Sequence, residues 1–150
     1  MAQQTESDAP TPYAGLQVLD KLVGTWKVSG EADGETTYEW MEGGFFLIQH
    51  GVLEREGVKY TYRGFIGYDR APGEAEPAEH ITSRLYTSRG DTLDYTSETD
   101  GETMTIWFGP KGSPAFYKGR WSDDGNTLSG EWEWPGGGYK ETMTRIEPAT

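Results

Sequence analysis

Two histidines, a run of tyrosines and tryptophans, and two arginines inside strand-like stretches are the residues of this 150-residue chain that could do chemistry. His50 sits in the apolar stretch FFLIQHGVL. It is either a buried, neutral, hydrogen-bonded histidine or a general base or ligand anchor facing a cavity. Tyr62, Tyr86, Trp107, Tyr117 and Trp132 offer flat apolar faces with polar tips, suited to stacking on an aromatic or apolar ligand. Their alternative is core or end packing. Arg84 and Arg63 lie mid-strand. An inward Arg84 needs a carboxylate, such as Asp94 across a hairpin, or an anionic ligand, whereas an outward one faces solvent. Alternation alone does not choose the face, and a slip of one residue inverts it. The candidate ligand-binding set is therefore His50, Tyr62, Arg84, Tyr86, Trp107, Tyr117 and Trp132, with His50 and Tyr62 the catalytic candidates in an enzyme.

Other chemistries find no support in the residues. There is no cysteine, hence no thiol nucleophile, disulfide or cysteine-held metal. His80 follows a Glu-rich loop and reads as a solvated rim residue. Paired with the distant His50 it makes a weak metal signal. Asp123-Asp124-Gly125-Asn126 lacks the twelfth-position Glu of a calcium loop and reads as a turn. Glu131 and Glu133 flank Trp132 and point to solvent if the tryptophan points in. No nucleophile elbow, P-loop, dinucleotide fingerprint or His-Glu-x-x-His is present. No metal and no cofactor are expected.

The elements that must position these residues are strands. The Lys+Arg count of 13 against 25 Asp+Glu gives a net charge of −12, which argues against nucleic acid and anionic membranes as partners. Glycine is abundant at 21 residues and aromatics reach 13%, a composition of folded, turn-rich chains rather than disordered ones. Met1–Pro12 is polar with two prolines and predicts a disordered tail before a single domain over 13–150. It has no basic start and no apolar run, so no signal peptide is expected and the expected location is cytoplasmic. Tyr13–Val23 is the only helix-like stretch, with Leu16, Leu19, Leu22 and Val23 near one face.

From Gly24 onward ten strand candidates follow: Gly24–Glu31, Glu35–Glu42, Phe45–Leu53, Val58–Asp69, Glu79–Ser88, Thr92–Glu98, Glu102–Phe108, Ala115–Trp121, Thr127–Trp134 and Tyr139–Ile146. Most are joined by tight turns, Asp100-Gly101 being the strongest hairpin signal. Strands in succession without crossover helices form an antiparallel sheet. A meander of ten should close on itself, because closure removes exposed edges. The expected fold is all-β: an antiparallel up-and-down β-barrel of about ten strands with one short N-terminal helix. A two-sheet sandwich is the alternative.

Gly24-Thr25-Trp26, opening the first strand after a short helix, resembles the Gly-x-Trp signature of the calycin group, which includes the lipocalins and fatty-acid-binding proteins. That resemblance implies a basic residue late in the last strand packed over the tryptophan, and Arg145 occupies the place. Within the group the chain is similar to small bacterial lipocalin-like domains of the DUF1579 type. The matching pieces are Leu22–Trp26 (LVGTW), Trp40–Phe46 (WMEGGFF), Gly64–Asp69 (GFIGYD) and Phe116–Glu133 (FYKGRWSDDGNTLSGEWE). Each is short and dominated by glycine. The more distant nitrobindins share a ten-stranded barrel and a Gly-Thr-Trp opening, and bind haem through a late histidine. This chain has no histidine after His80.

A barrel of this size is wide enough to hold one small ligand. The leading functional expectation is a binding protein for a small, partly apolar or aromatic molecule, a monomer or homodimer. The alternative is a cofactor-independent enzyme, a cyclase or isomerase working in the same cavity. A third reading is an interaction module whose barrel is filled by its own side chains.

Overall fold

The computed structural model describes residues 11–146. The tail expected over Met1–Pro12 therefore lies, up to residue 10, outside the described residues.

A 3-10 helix over Ala14–Leu22 precedes all the strands. Nine residues is long for this helix type, and the leucine spacing accounts for it. A 3-10 helix has three residues per turn, so side chains three apart eclipse one another. Leu16, Leu19 and Leu22 thus form one straight ridge, and all three are buried. Gly24 then turns the chain into the sheet at φ +126°, a conformation that disfavours any side chain.

The strands are β1 (Gly24–Gly30), β2 (Asp33–Trp40), β3 (Phe46–Arg55), β4 (Val58–Tyr68), β5 (Ile81–Thr87), β6 (Thr92–Thr99), β7 (Thr103–Phe108), β8 (Phe116–Trp121), β9 (Thr127–Trp134) and β10 (Gly137–Arg145). Each pairs antiparallel with its neighbour in sequence, and β1 pairs with β10, so the sheet is a closed ten-stranded barrel. The predicted strands all form. Their boundaries differ from the expected ones by two residues at most: β2 is shifted to Asp33–Trp40, β3 continues to Arg55, β5 starts at Ile81 and β10 starts at Gly137. Gly136 at φ +92° lets Pro135-Gly136 serve as the whole connection between β9 and β10.

The helix closes one end. Lys21 donates from Nζ to the Gly101 carbonyl at 2.6 Å, and Trp40 donates from Nε1 to Asp20 at 3.0 Å. Tyr13 packs edge-on against Phe45 and Tyr68. Below the helix, Trp26 is fully buried and donates from Nε1 to the Leu22 carbonyl at 2.8 Å. The Arg145 guanidinium lies 4.2 Å from the centre of the Trp26 ring, a cation–π contact that seals the base. The opposite end, bounded by the β1–β2, β3–β4, β5–β6, β7–β8 and β9–β10 turns, is the mouth. No helix among the described residues is long and apolar enough to cross a membrane.

Candidate ligand-binding cavity

The phase of each strand decides what the lumen contains. On β3, Leu47 is fully buried and Gln49 and Leu53 line the lumen. His50 has the opposite phase and faces outward, into a shallow exterior groove beside Arg63 and Tyr86. On β5, Ser83, Leu85 and Thr87 point in, which turns Arg84 and Tyr86 out. Arg84 meets Asp94 on the exterior through two hydrogen bonds of 2.8 and 3.2 Å. Those contacts hold the exposed Asp94 carboxyl below the usual carboxylate range. On β7, Met104 and Ile106 point in and Trp107 out, where Lys111 approaches its ring at 5.8 Å.

Of the seven residues expected to meet a ligand, Tyr62, Tyr117 and Trp132 line the lumen. His50, Arg84, Tyr86 and Trp107 do not, and this corrects the expectation for those four. Their strands carry apolar or aromatic residues on both faces, so hydropathy could not set their phase. His50 as a lumen base is thereby withdrawn. His80 stands before β5 with its side chain partly exposed, 3.7 Å from Glu79. Among the described residues no three His, Cys, Asp or Glu side chains gather into a metal-holding group. In the turn after β8, Asp124 accepts from the Asn126 amide at 2.9 Å and from the Ser122 hydroxyl at 2.7 Å, the satisfied turn expected there.

The lumen is not filled by its own side chains. It offers ≈ 130 Å³ open to the centres of water molecules, close to the roughly 150 Å³ that accepts one benzene ring. Its walls are apolar and aromatic, with six tyrosines (38, 60, 62, 95, 117 and 139) and Trp132. Tyr117 and Tyr95 both pack against Trp132, at ring-centre distances of 5.4 and 5.9 Å.

Glycines create the space. Gly51 on β3 pairs with Tyr62 on β4, and a Cβ there would lie 3.0 Å from the Tyr62 hydroxyl. Tyr62 therefore lies across bare backbone, near Thr36 and Gln49, which act to lower its pKa. Burial nonetheless pushes its pKa up to about 12. Gln49 also donates from Nε2 to the Tyr38 hydroxyl at 3.1 Å. On the other side, Gly130 pairs with Gly119, and a Cβ at Gly130 would come 2.5 Å from the Gly119 Cα. No side chain fits between these two strands at that level.

Several lumen residues, among them Gln49, Tyr95, Tyr139 and Glu141, escaped the sequence reading. Glu141 on β10 faces inward between Gly30 on β1 and Gly130 on β9. Trp132 donates from Nε1 to its Oε1 at 3.3 Å. Burial raises its pKa, and the Trp132 contact lowers it in part. A signal for it was present. Arg145, placed over Trp26, sets the phase of β10, and a period of two carries that phase back through Met143 to Glu141.

The mouth is framed by Arg55, whose guanidinium stacks 4.1 Å from the Tyr139 ring centre and 5.7 Å from that of Trp134. Val58, Phe108 and Trp134, all exposed, belong to the same rim. Neither a protein-family model nor a curated protein sequence matches the chain.

Proposed function

We propose that the barrel binds one small, partly apolar or aromatic molecule in its lumen, entering through the rim of Arg55, Phe108 and Trp134. The observation that carries this reading is the open lumen itself: aromatic walls, a few convergent polar groups (Gln49, Tyr62 and Glu141), and one closed end. Apolar burial with a small number of placed polar groups is the usual make-up of small-molecule sites. The calycin resemblance of the Gly24-Thr25-Trp26 opening points the same way, by analogy of fold. On this reading the protein works in the cytoplasm, with a small molecule rather than nucleic acid or membrane as its partner.

The test is native mass spectrometry of the protein purified from its own host, set beside a calorimetric titration with 4-ethylphenol as an aromatic probe. A retained extra mass, or 4-ethylphenol binding that Ser83→Phe abolishes by filling the lumen, supports the reading. A bare mass with no 4-ethylphenol binding overturns it.

Glu141 favours one second reading, a cofactor-independent isomerase or cyclase in the same cavity. A half-buried carboxyl group with a raised pKa, held by the Trp132 indole N–H, has the properties of a general acid or base. Turnover of a bound compound that Glu141→Gln eliminates while binding persists would select this reading over simple binding.

A further inference from the structure

We propose that the ligand is an aromatic compound bearing a protonated amine, with Glu141 as its counter-ion. This inference rests on the lumen being a binding site, as proposed above, and specifies what that site selects.

Among the described residues that line the lumen, Glu141 is the one that is charged. Among the described residues no lysine, arginine or histidine pairs with it. Arg55, the cation at the mouth, reaches Glu56 at 3.8 Å and stacks on Tyr139 and Trp134. An ionised carboxylate offers about four acceptor positions, and among the described residues only the Trp132 Nε1–H donates to it. Its neighbours in register, Gly30 and Gly130, bring no side chain over it. A carboxylate out of bulk water and without a cation is costly. A cation supplied from outside removes that cost.

The surroundings select the sign of the guest. The same lumen is lined by tyrosine and tryptophan rings, whose π faces attract an ammonium and repel a carboxylate lying over them. The phenols of Tyr60, Tyr95, Tyr117 and Tyr139 all have raised pKa values, so they stay neutral and add no competing charge. The net charge of −12 favours the approach of cations over anions. Leu53, Leu85, Leu93 and Ile106 supply apolar wall for the ligand's ring. Space for about one aromatic ring below an open mouth suits a single ring with a short aminoalkyl arm.

Three matched probes test this by isothermal titration calorimetry: tyramine, neutral 4-ethylphenol and anionic 4-hydroxyphenylacetate. The expected order in the wild-type protein is tyramine tightest, by about ten-fold or more over 4-ethylphenol, and the anion weakest. Glu141→Gln, with its melting transition retained, should bring tyramine to within about two-fold of 4-ethylphenol. Trp132→Phe keeps the charge and a ring, and should keep the preference for tyramine. Equal binding of tyramine and 4-ethylphenol by the wild type, or tighter binding of the anion, overturns the inference and leaves the binding site standing. Binding of none of the three overturns the inference, and together with a bare native mass it overturns the binding site as well.

Discussion

Arg145 stacks its guanidinium 4.2 Å from the ring centre of Trp26 while donating to the carbonyls of Val23 at 2.6 Å and Lys21 at 2.8 Å. One side chain thus ties the last strand, the first strand and the end of the helix together. Arg145→Ala should lose about 2–4 kcal/mol of stability, combining the cation–π contact with charge-assisted hydrogen bonds. Arg145→Lys should recover less than half, because a lysine cannot reproduce the planar fork. Urea unfolding at neutral pH measures both. A loss below about 1 kcal/mol for the alanine variant would show that the base of the barrel does not depend on this residue.

Glu141 predicts a pH dependence of stability. Burial raises its pKa in the folded state. Across the interval from the ordinary carboxylate range up to that raised value, the native state holds a proton the unfolded chain has released. Stability therefore falls as pH rises through the interval, and the full penalty applies above it. Glu141→Gln removes the ionisable group and keeps an acceptor for Trp132. Its Tm should exceed that of the wild type at pH 7 by roughly a few degrees. The gap should close as pH drops into the ordinary carboxylate range. Thermal melts at several pH values decide it, and a pH-independent gap contradicts the prediction.

The glycines of the wall and of the turns should behave differently. Gly130→Ala drives a Cβ into the backbone of β8 and should destabilise by about 2 kcal/mol or more. Gly57, at φ +81° in the β3–β4 turn, has nothing within 4 Å of an added Cβ. Gly57→Ala meets only the backbone penalty, about 1 kcal/mol. Equal losses in chemical denaturation would mean that the close approach of β8 and β9 relaxes freely.

Inner and outer faces should separate cleanly in binding. Alanine replacements of His50, Arg84, Tyr86 and Trp107 should leave 4-ethylphenol affinity within about two-fold, since these side chains lie outside the lumen. Ser83→Phe should abolish it, because Ser83 points into the space a ligand needs. A large loss from any of the four outer variants, measured calorimetrically on folded protein, would place the site on the exterior groove instead.

Much of the fold was legible in the residues. Short alternating segments punctuated by glycine turns leave little choice but consecutive hairpins, and ten of them close on themselves to remove their edges. The helix was legible as well, although its type depended on the three-residue spacing of Leu16, Leu19 and Leu22. The cavity was legible in kind rather than in membership. Tyr117 and Trp132 lie on the lumen face, whereas Trp107, in a strand with apolar residues on both sides, lies on the other.

The sequence by itself determined the strands, their turns and their order, because those depend on local alternation and on glycine at positions of positive φ. The tertiary structure decided which face of each strand turns inward, and with it whether His50 or Gln49, Arg84 or Ser83, meets the lumen. It also decided that Glu141 stands alone among aromatic rings. Closure fixes every register at once, and a period of two makes each strand's orientation depend on its neighbours rather than on its own residues.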